Sequence, residues 1–502
     1  MRTLLRGWLC SGDFKTISRG ALLFEDDRII AVEKEITGSA AAERIIDFKD
    51  EIISPGFIDV HGHSDISAAA APECFSKISQ GITTEITGNC GLSTFPVTPA
   101  NAEHLAELYS NYHIAPDWED HAGYHRALTG RKVKLRIFSL TGHNTLRAAV
   151  TGYGQSSPDG SQLDLMGRLL ERELASGSPG LSTGLLYVPG CFADEDELFM
   201  LMKILAGHNK VYATHLRSEG DSLLESLQET LATARRAGLR KVEISHLKTA
   251  GKDNFHKLEE VFSLIREYRN CGMDVRFDRY PYIESQTMLS IALGNKYGKY
   301  GDRELQTLLG IPEEYASALA HLRTLRDESY WQRVRLAGCS AGKFRKYQGM
   351  KFSDIPGNPE ENVLEILRED APGATLAAAN MSEENMLKIL LSPQCCFGSD
   401  GNALPPDESF GRPHPRSFGA AAKTARLLLD NNIPVAELCR KLSGAAAEFF
   451  ALDGCGSLQC GNFADITVFS PEEIDSQADF KDPCTPARGI KLTVTAGNLN
   501  YF

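Results

Sequence analysis

The chain has 502 residues, 42% of them hydrophobic and 24% charged, and a formal net charge of −13. That length suits one large barrel with additions or two or three domains, and the composition is that of an ordinary soluble globular protein. An acidic balance with both signs mixed along the chain speaks against a general nucleic-acid surface or an anionic-membrane surface, and no apolar run reaches the roughly eighteen residues that a membrane span needs.

The opening stretch, Met1 to Gly12, is too short and interrupted for a signal-peptide core. Twelve cysteines, two of them adjacent at Cys395 and Cys396, show no small disulfide framework. Together these predict free thiols in a reducing cytoplasm. Residues 1–54 carry short β-like pieces at 21–24 and 28–32 separated by acidic turns, and the far end repeats that texture at 464–469 and 490–494. Residues 1–54 and 451–502 are therefore expected to form one small β-domain around a middle that spans 55–450.

The middle alternates strand-like and helix-like runs. Strand candidates fall at 57–60, 83–87, 136–140, 181–186, 211–214, 242–245, 275–278 and 396–399. Between the fifth and sixth, Leu223, Leu224, Leu227 and Leu231 share one helical face and Gly238 supplies the stop. Eight parallel strands with outer helices predict an α/β fold, a (β/α)8 TIM-like barrel. The interval between strands seven and eight is too long for one helix, so 286–345 is read as an inserted subdomain or lid.

Such barrels carry their chemistry at the carboxyl ends of the strands. The first strand ends in His61 and His63, whose i, i+2 spacing puts both imidazoles on one side of an extended segment. Cys90 follows the second strand, His215 ends the fifth, His246 the sixth, and Asp400 the eighth. Each has a bland explanation alone: His215 as a hydrogen-bonded core residue, Cys90 as a small buried hydrophobe, Asp400 as a cap. Six such residues at one end of one barrel predict a divalent metal site, with zinc preferred by a mixed His, Cys and carboxylate set. His104, His113, His121, His125, His208, His256 and His321 read as surface or packing residues. His143, after the third strand, is expected to line the mouth without ligating.

These pieces resemble the amidohydrolase superfamily and, within it, the D-aminoacylase (N-acyl-D-amino-acid deacylase) family. The resemblance runs over nearly the whole chain, through Pro-Gly-Phe-Ile-Asp-Val-His-Gly-His-Ser-Asp (55–65), Gly-Ile-Thr-Thr-Glu-Ile-Thr-Gly-Asn-Cys-Gly (81–91), Thr-His-Leu-Arg-Ser-Glu (214–219), Ile-Ser-His-Leu-Lys (244–248), Asp-Arg-Tyr-Pro-Tyr (278–282), Gly-Ser-Asp-Gly (398–401) and His-Pro-Arg (414–416). It implies a zinc-dependent enzyme that hydrolyses the amide bond of a small-molecule substrate, an N-acyl-D-amino acid, to a D-amino acid and a carboxylate. Many members of the superfamily bridge two metals with a carboxylated lysine or a glutamate from strand four. Strand four here offers neither, whereas the family's strand-two cysteine is matched by Cys90. The resemblance makes Cys90, His215 and His246 the tighter zinc site, and His61, His63 and Asp400 a second one that is weak or empty. Asp400 is expected to carry the water's proton to the leaving amine. Tyr280 is expected to donate to the oxyanion, a core aromatic being its other reading. Lys248, Arg416 and Tyr187 are expected to bind the substrate carboxylate. Two other readings stay open: a cyclic-amide hydrolase of dihydroorotase or hydantoinase type, and a scaffold on this fold without activity.

Overall fold

The computed structural model describes every residue except 35–41, 295, 298 and 299. The chain opens with β1 (Arg2–Cys10), β2 (Ile17–Glu25), β3 (Arg28–Glu33) and β4 (Arg44–Pro55), in which β1 pairs antiparallel with β2 and parallel with β4. Gly56 lets this sheet hand over to the barrel, because a Cβ there would stand 2.0 Å from the Thr83 hydroxyl.

The barrel strands follow: β5 (Phe57–Asp59), β6 (Ile82–Thr87), β7 (Arg136–Ser139), β8 (Thr141–Gly142), β9 (Gly180–Gly184), β10 (Val211–His215), β11 (Lys241–Ile244) and β12 (Asp274–Arg279). Successive neighbours pair in parallel, and β7 and β8 form one barrel position interrupted at Leu140. β6 and β10 are buried along their whole length, as strands covered on both faces must be. The helix Leu223–Arg236 turns Leu223, Leu227 and Leu231 into the core and leaves Leu224 only partly covered, and Gly238 beyond it takes the left-handed φ of +75°. Strand four, expected to reach Leu186, ends at Gly184, so Leu185 to Tyr187 lie in the turn beyond it.

After β12 the chain leaves the barrel to build β13 (Glu284–Met288), β14 (Val334–Gly338) and β15 (Thr375–Ala379), an antiparallel sheet in the order β13-β15-β14. Helices Asp302–Leu309, Pro312–Leu325 and Pro359–Asp370 pack with it around a core of its own that includes Leu289, Leu322, Trp331, Phe352 and Leu367. The inserted unit therefore reaches Ala379, well past residue 345, because its central strand is the last one to be made.

β16 (Cys395–Phe397) returns beside β12 and closes the barrel on β5: the Val60 N–H donates to the Phe397 carbonyl at 3.0 Å, and Gly62 bridges Gly401. Finally β17 (Ile466–Phe469), β18 (Ile490–Thr495) and β19 (Asn498–Tyr501) join the first four strands in one seven-stranded sheet, ordered β19-β18-β17-β4-β1-β2-β3. The α/β barrel with a β-domain made from both ends of the chain is thus observed, and an inserted unit separates strands seven and eight.

Candidate metal centre

The seam between the first and last barrel strands is held by a buried charge network. Lys77 Nζ lies 2.7 Å from Asp59 and 3.3 Å from Glu85, and donates to Ser399 Oγ at 2.9 Å and to the Gly401 carbonyl at 3.0 Å. The other Asp59 oxygen accepts the backbone N–H groups of His61 (3.1 Å) and Ser399 (2.8 Å). Buried charges are tolerated only when paired and hydrogen-bonded in this way. The network fixes the His61-Gly62-His63 turn against the Ser399-Asp400-Gly401 turn. Gly62 is required there, since a Cβ would fall 1.8 Å from Glu85 Oε1.

Three of the six expected ligands sit in left-handed backbone: Cys90 at φ +53°, His246 at +37° and Asp400 at +53°. Each such residue costs about 1–3 kcal/mol and persists only where its surroundings enforce it, typically at functional sites. Gly88 and Gly91 flank Cys90 with φ of +73° and +76°, and a Cβ on Gly91 would stand 2.1 Å from Asn144 Oδ1.

These turns converge. Cys90 Sγ is 3.3 Å from His61 Nε2, 3.4 Å from His246 Nε2 and 3.8 Å from His215 Nδ1. Asp400 Oδ1 is 3.1 Å from His63 Nε2 and 3.7 Å from His61 Nε2, and its Oδ2 is 2.7 Å from Arg416 Nη1. His61 thus faces both groups. Burial favours the neutral thiol, but the imidazoles of His61 and His246 hold Cys90 well below its usual value. Against burial, Arg416 and His63 hold Asp400 well below the usual carboxylate range. His63 is raised to about 9 despite its desolvation, by its hydrogen bond to Asp400. A thiolate, four imidazoles and a carboxylate in one mouth form a donor set that suits a borderline-soft divalent ion. Among the described residues the buried His215 Nε2 makes no hydrogen bond and faces the Glu219 carboxylate 3.5 Å away, while its Nδ1 points at Cys90.

Two acidic groups that sequence reading passed over complete the cluster. Asp278, at the end of β12, accepts from His61 Nδ1 at 3.0 Å and from the His246 N–H at 2.9 Å. Glu219, four residues beyond His215, lies 3.0 Å from His246 Nδ1, 3.5 Å from His215 Nε2 and 2.6 Å from Lys248 Nζ. Its signal was available in the sequence: an acidic side chain just beyond a ligand-bearing strand end.

Lys248 is buried beside the cluster, 3.0 Å from His246 Nδ1. Arg416 opens the helix Arg416–Asp430, and its N–H donates to His414 Nδ1 at 3.0 Å. The Tyr187 ring packs 4.9 Å from that of His215, and its hydroxyl pairs with Thr287 Oγ1 of the insertion at 3.1 Å. Among the described residues the buried Tyr280 hydroxyl finds no hydrogen-bond partner, and Arg416 lies 5.0 Å from its ring. His143, expected at the mouth, is instead buried against the helix Glu195–Gly207, with Nε2 2.7 Å from Glu197. A carboxylate on a neighbouring helix captured it.

No family model matches the chain. The D-aminoacylase of Alcaligenes xylosoxydans xylosoxydans is 32% identical, over 98% of this chain and 93% of that protein. The N-acyl-D-glutamate deacylase of the same organism is 29% identical, over 98% and 91%. Among solved structures, an N-acyl-D-glutamate deacylase from Bordetella bronchiseptica, complexed with zinc and a phosphonate mimic of the tetrahedral intermediate, matches with a TM-score of 0.83 at 28% identity, covering 99% of this chain and 96% of that one. A D-aminoacylase described as defining a novel subset of amidohydrolases matches with a TM-score of 0.79 at 29% identity and the same coverage. Among the described residues, no helix is long and apolar enough to cross a membrane.

Proposed function

We propose that this chain, which belongs to the D-aminoacylase family of amidohydrolases, hydrolyses the amide bond of N-acyl-D-amino acids to a D-amino acid and a carboxylate. The observation that carries the reading is the convergence of Cys90 on nitrogens of His61, His215 and His246, with Asp400, Arg416 and Lys248 beside it. Cys90, His215 and His246 would hold zinc, and His61, His63 and Asp400 the second, weaker position. Bound there, zinc supplies Lewis acidity and a water acidic enough to ionise near neutral pH.

The chain's own groups do the rest. Arg416 and Lys248 receive the substrate carboxylate, Arg416 through a guanidinium fork suited to it. Both cations are already seated against carboxylates, so the substrate meets fixed rather than wandering charges. Tyr280 Oη, unpartnered in the described structure, donates to the carbonyl oxygen as negative charge develops. Asp400 takes the proton of the attacking water at a carboxylate oxygen and delivers it to the leaving nitrogen. The Tyr187 ring packs on His215, and its hydroxyl is tied to the insertion, which helps to shut water out of the mouth.

The test is an assay of purified protein, with and without zinc, against N-acetyl-D-amino acids and N-acetyl-L-amino acids. Zinc-dependent release of the D-amino acid is expected; turnover of the L-series alone, or of neither series by zinc-loaded protein, would overturn the reading. Asp400→Asn is expected to lower kcat by about 10²–10⁴-fold, and a variant with full rate would remove the assigned proton transfer. Opening of a cyclic amide in place of linear substrates would favour the hydantoinase-like alternative.

A further inference from the structure

A cavity of about 410 Å³ lies beside the segment that carries Arg416, within the roughly 300–1,000 Å³ range of small-molecule sites. None of the expected metal ligands lines it, and neither do Lys248, Tyr280 and Arg416. Its walls are mostly apolar: the Tyr282 and Phe480 rings, Pro415, and Leu387 and Leu427 from the helices Glu383–Leu391 and Arg416–Asp430. Four charged side chains line it as well, and two of them are engaged already. Glu284 lies 3.3 Å from Arg335, and Asp479 closes a turn by accepting the N–H groups of Lys481 and Asp482 at 2.8 Å each. The other two stand open: among the described residues neither Lys423 nor Glu383 forms an ion pair, with each other or with any other group. The half-buried Lys423 sets its ammonium 4.3 Å from the centre of the Tyr282 ring, and burial holds it below its ordinary value. A partly desolvated cation without a carboxylate against it is a group in want of an anion.

We propose that this cavity is a non-catalytic binding site for a free amino acid, the class of molecule that deacylation releases, with the α-carboxylate on Lys423, the α-ammonium on Glu383 and the side chain against the aromatic and leucine walls. The inference rests on the deacylase reading above and adds a means by which product is sensed. A zwitterion answers both open charges at once, which neither a simple carboxylate nor a simple amine does. Its hydrocarbon gains by covering the apolar walls. The site reaches the mouth through one of those walls. The Tyr282 hydroxyl lies 3.5 Å from the Pro415 carbonyl, and the Tyr282 and Phe480 rings pack on the His414 ring at 5.3 and 4.8 Å. His414 Nδ1 accepts the Arg416 N–H at 3.0 Å, and Arg416 holds Asp400 at 2.7 Å. A ligand that presses on Tyr282 and Pro415 therefore shifts Arg416 against the carboxylate assigned to proton transfer, and turnover falls as well as substrate affinity.

The experiment titrates D-leucine into the zinc-loaded full chain by calorimetry and measures how D-leucine inhibits hydrolysis of an N-acetyl-D-amino acid. Two binding events per chain are expected, one at the mouth as product and one in the cavity. Inhibition should be mixed, with kcat falling at least about fivefold at saturation. In Lys423→Met the cavity site should weaken by about tenfold or more, and the inhibition should become purely competitive. Glu383 is exposed, so Glu383→Gln, for which the same loss is expected, carries the test should Lys423→Met fail to fold. 4-Methylpentanoate and 3-methylbutylamine each keep one charge of leucine and should bind the cavity at least about tenfold more weakly than D-leucine. A single binding event with purely competitive inhibition, or a second event that both variants leave untouched, would overturn this inference while leaving the deacylase reading intact. L-leucine as the tighter ligand of the cavity would overturn its role in sensing product. Lys423-dependent binding in a chain that hydrolyses no N-acyl-D-amino acid would sink the deacylase reading and leave the site standing.

Discussion

Glu219 illustrates what a single side chain can hold together. Its carboxylate stands against the far nitrogens of His215 and His246 and against the Lys248 ammonium. A carboxylate in that position fixes the tautomer and raises the basicity of a ligating imidazole. Glu219→Gln is expected to weaken zinc affinity by about 10–100-fold, read by competition with a chromogenic chelator. KM should also rise, because Lys248 loses its seat. Unchanged affinity would leave Glu219 a packing residue. The residues legible in the sequence were those whose chemistry is unusual at a strand end: His61, His63, Cys90, His215, His246 and Asp400. Glu219 was legible only by its place just beyond a ligand-bearing strand end, and Lys77 not at all, because a lone glutamate or lysine reads by itself as a solvated charge. Only the meeting of several strands buries them, and Lys77 then makes its contacts with groups as distant along the chain as Ser399 and Gly401.

Elements show how local sequence is overruled by what packs against it. The helix His121–Gly130 carries two histidines one turn apart whose rings pack 4.2 Å from each other, and His121 also meets Phe95. Burial keeps their pKa values low, at about 3 for His121 and about 4 for His125. Below the ordinary value near 6.5 the unfolded chain takes up protons that the folded helix refuses, so stability falls as pH drops from about 7 towards 4. The slope is at most about 1.4 kcal/mol per pH unit for each histidine. In metal-free protein, the thermal midpoint measured between pH 7 and pH 5 should decline more shallowly in His125→Leu than in the parent. Equal slopes would exclude the pair as the source. The turn after β6 makes a second case. Gly91 has both a left-handed φ and no room for a Cβ, so Gly91→Ala should displace Cys90 and lower the zinc content of the purified protein; full zinc occupancy would show that the turn can give. The barrel strands were legible because parallel strands covered on both faces read as short apolar runs. The end of strand four was not, since Leu185 and Leu186 continue the apolar run while the backbone has already turned.

At the scale of the whole molecule, the insertion and the barrel have separate cores. Trp331 is buried in the insertion, with its indole N–H on Glu360 at 2.8 Å. Trp331→Ala should cost that unit about 3–5 kcal/mol, seen as an earlier unfolding transition, while zinc stoichiometry stays as in the parent. Loss of zinc together with the insertion would mean that the two units unfold as one. The seam of the barrel has a consequence in time. Asp59 and Ser399, 340 positions apart, meet there, and the expected ligands lie on both sides of that joint. A chain made from its amino end presents His61, His63 and Cys90 early, and Asp400 and Arg416 only after the last barrel strand has been synthesised. Translation must therefore run nearly to the end of the barrel before the six-residue centre exists, so a prematurely terminated chain carries the first half of a binding site and never the whole of one.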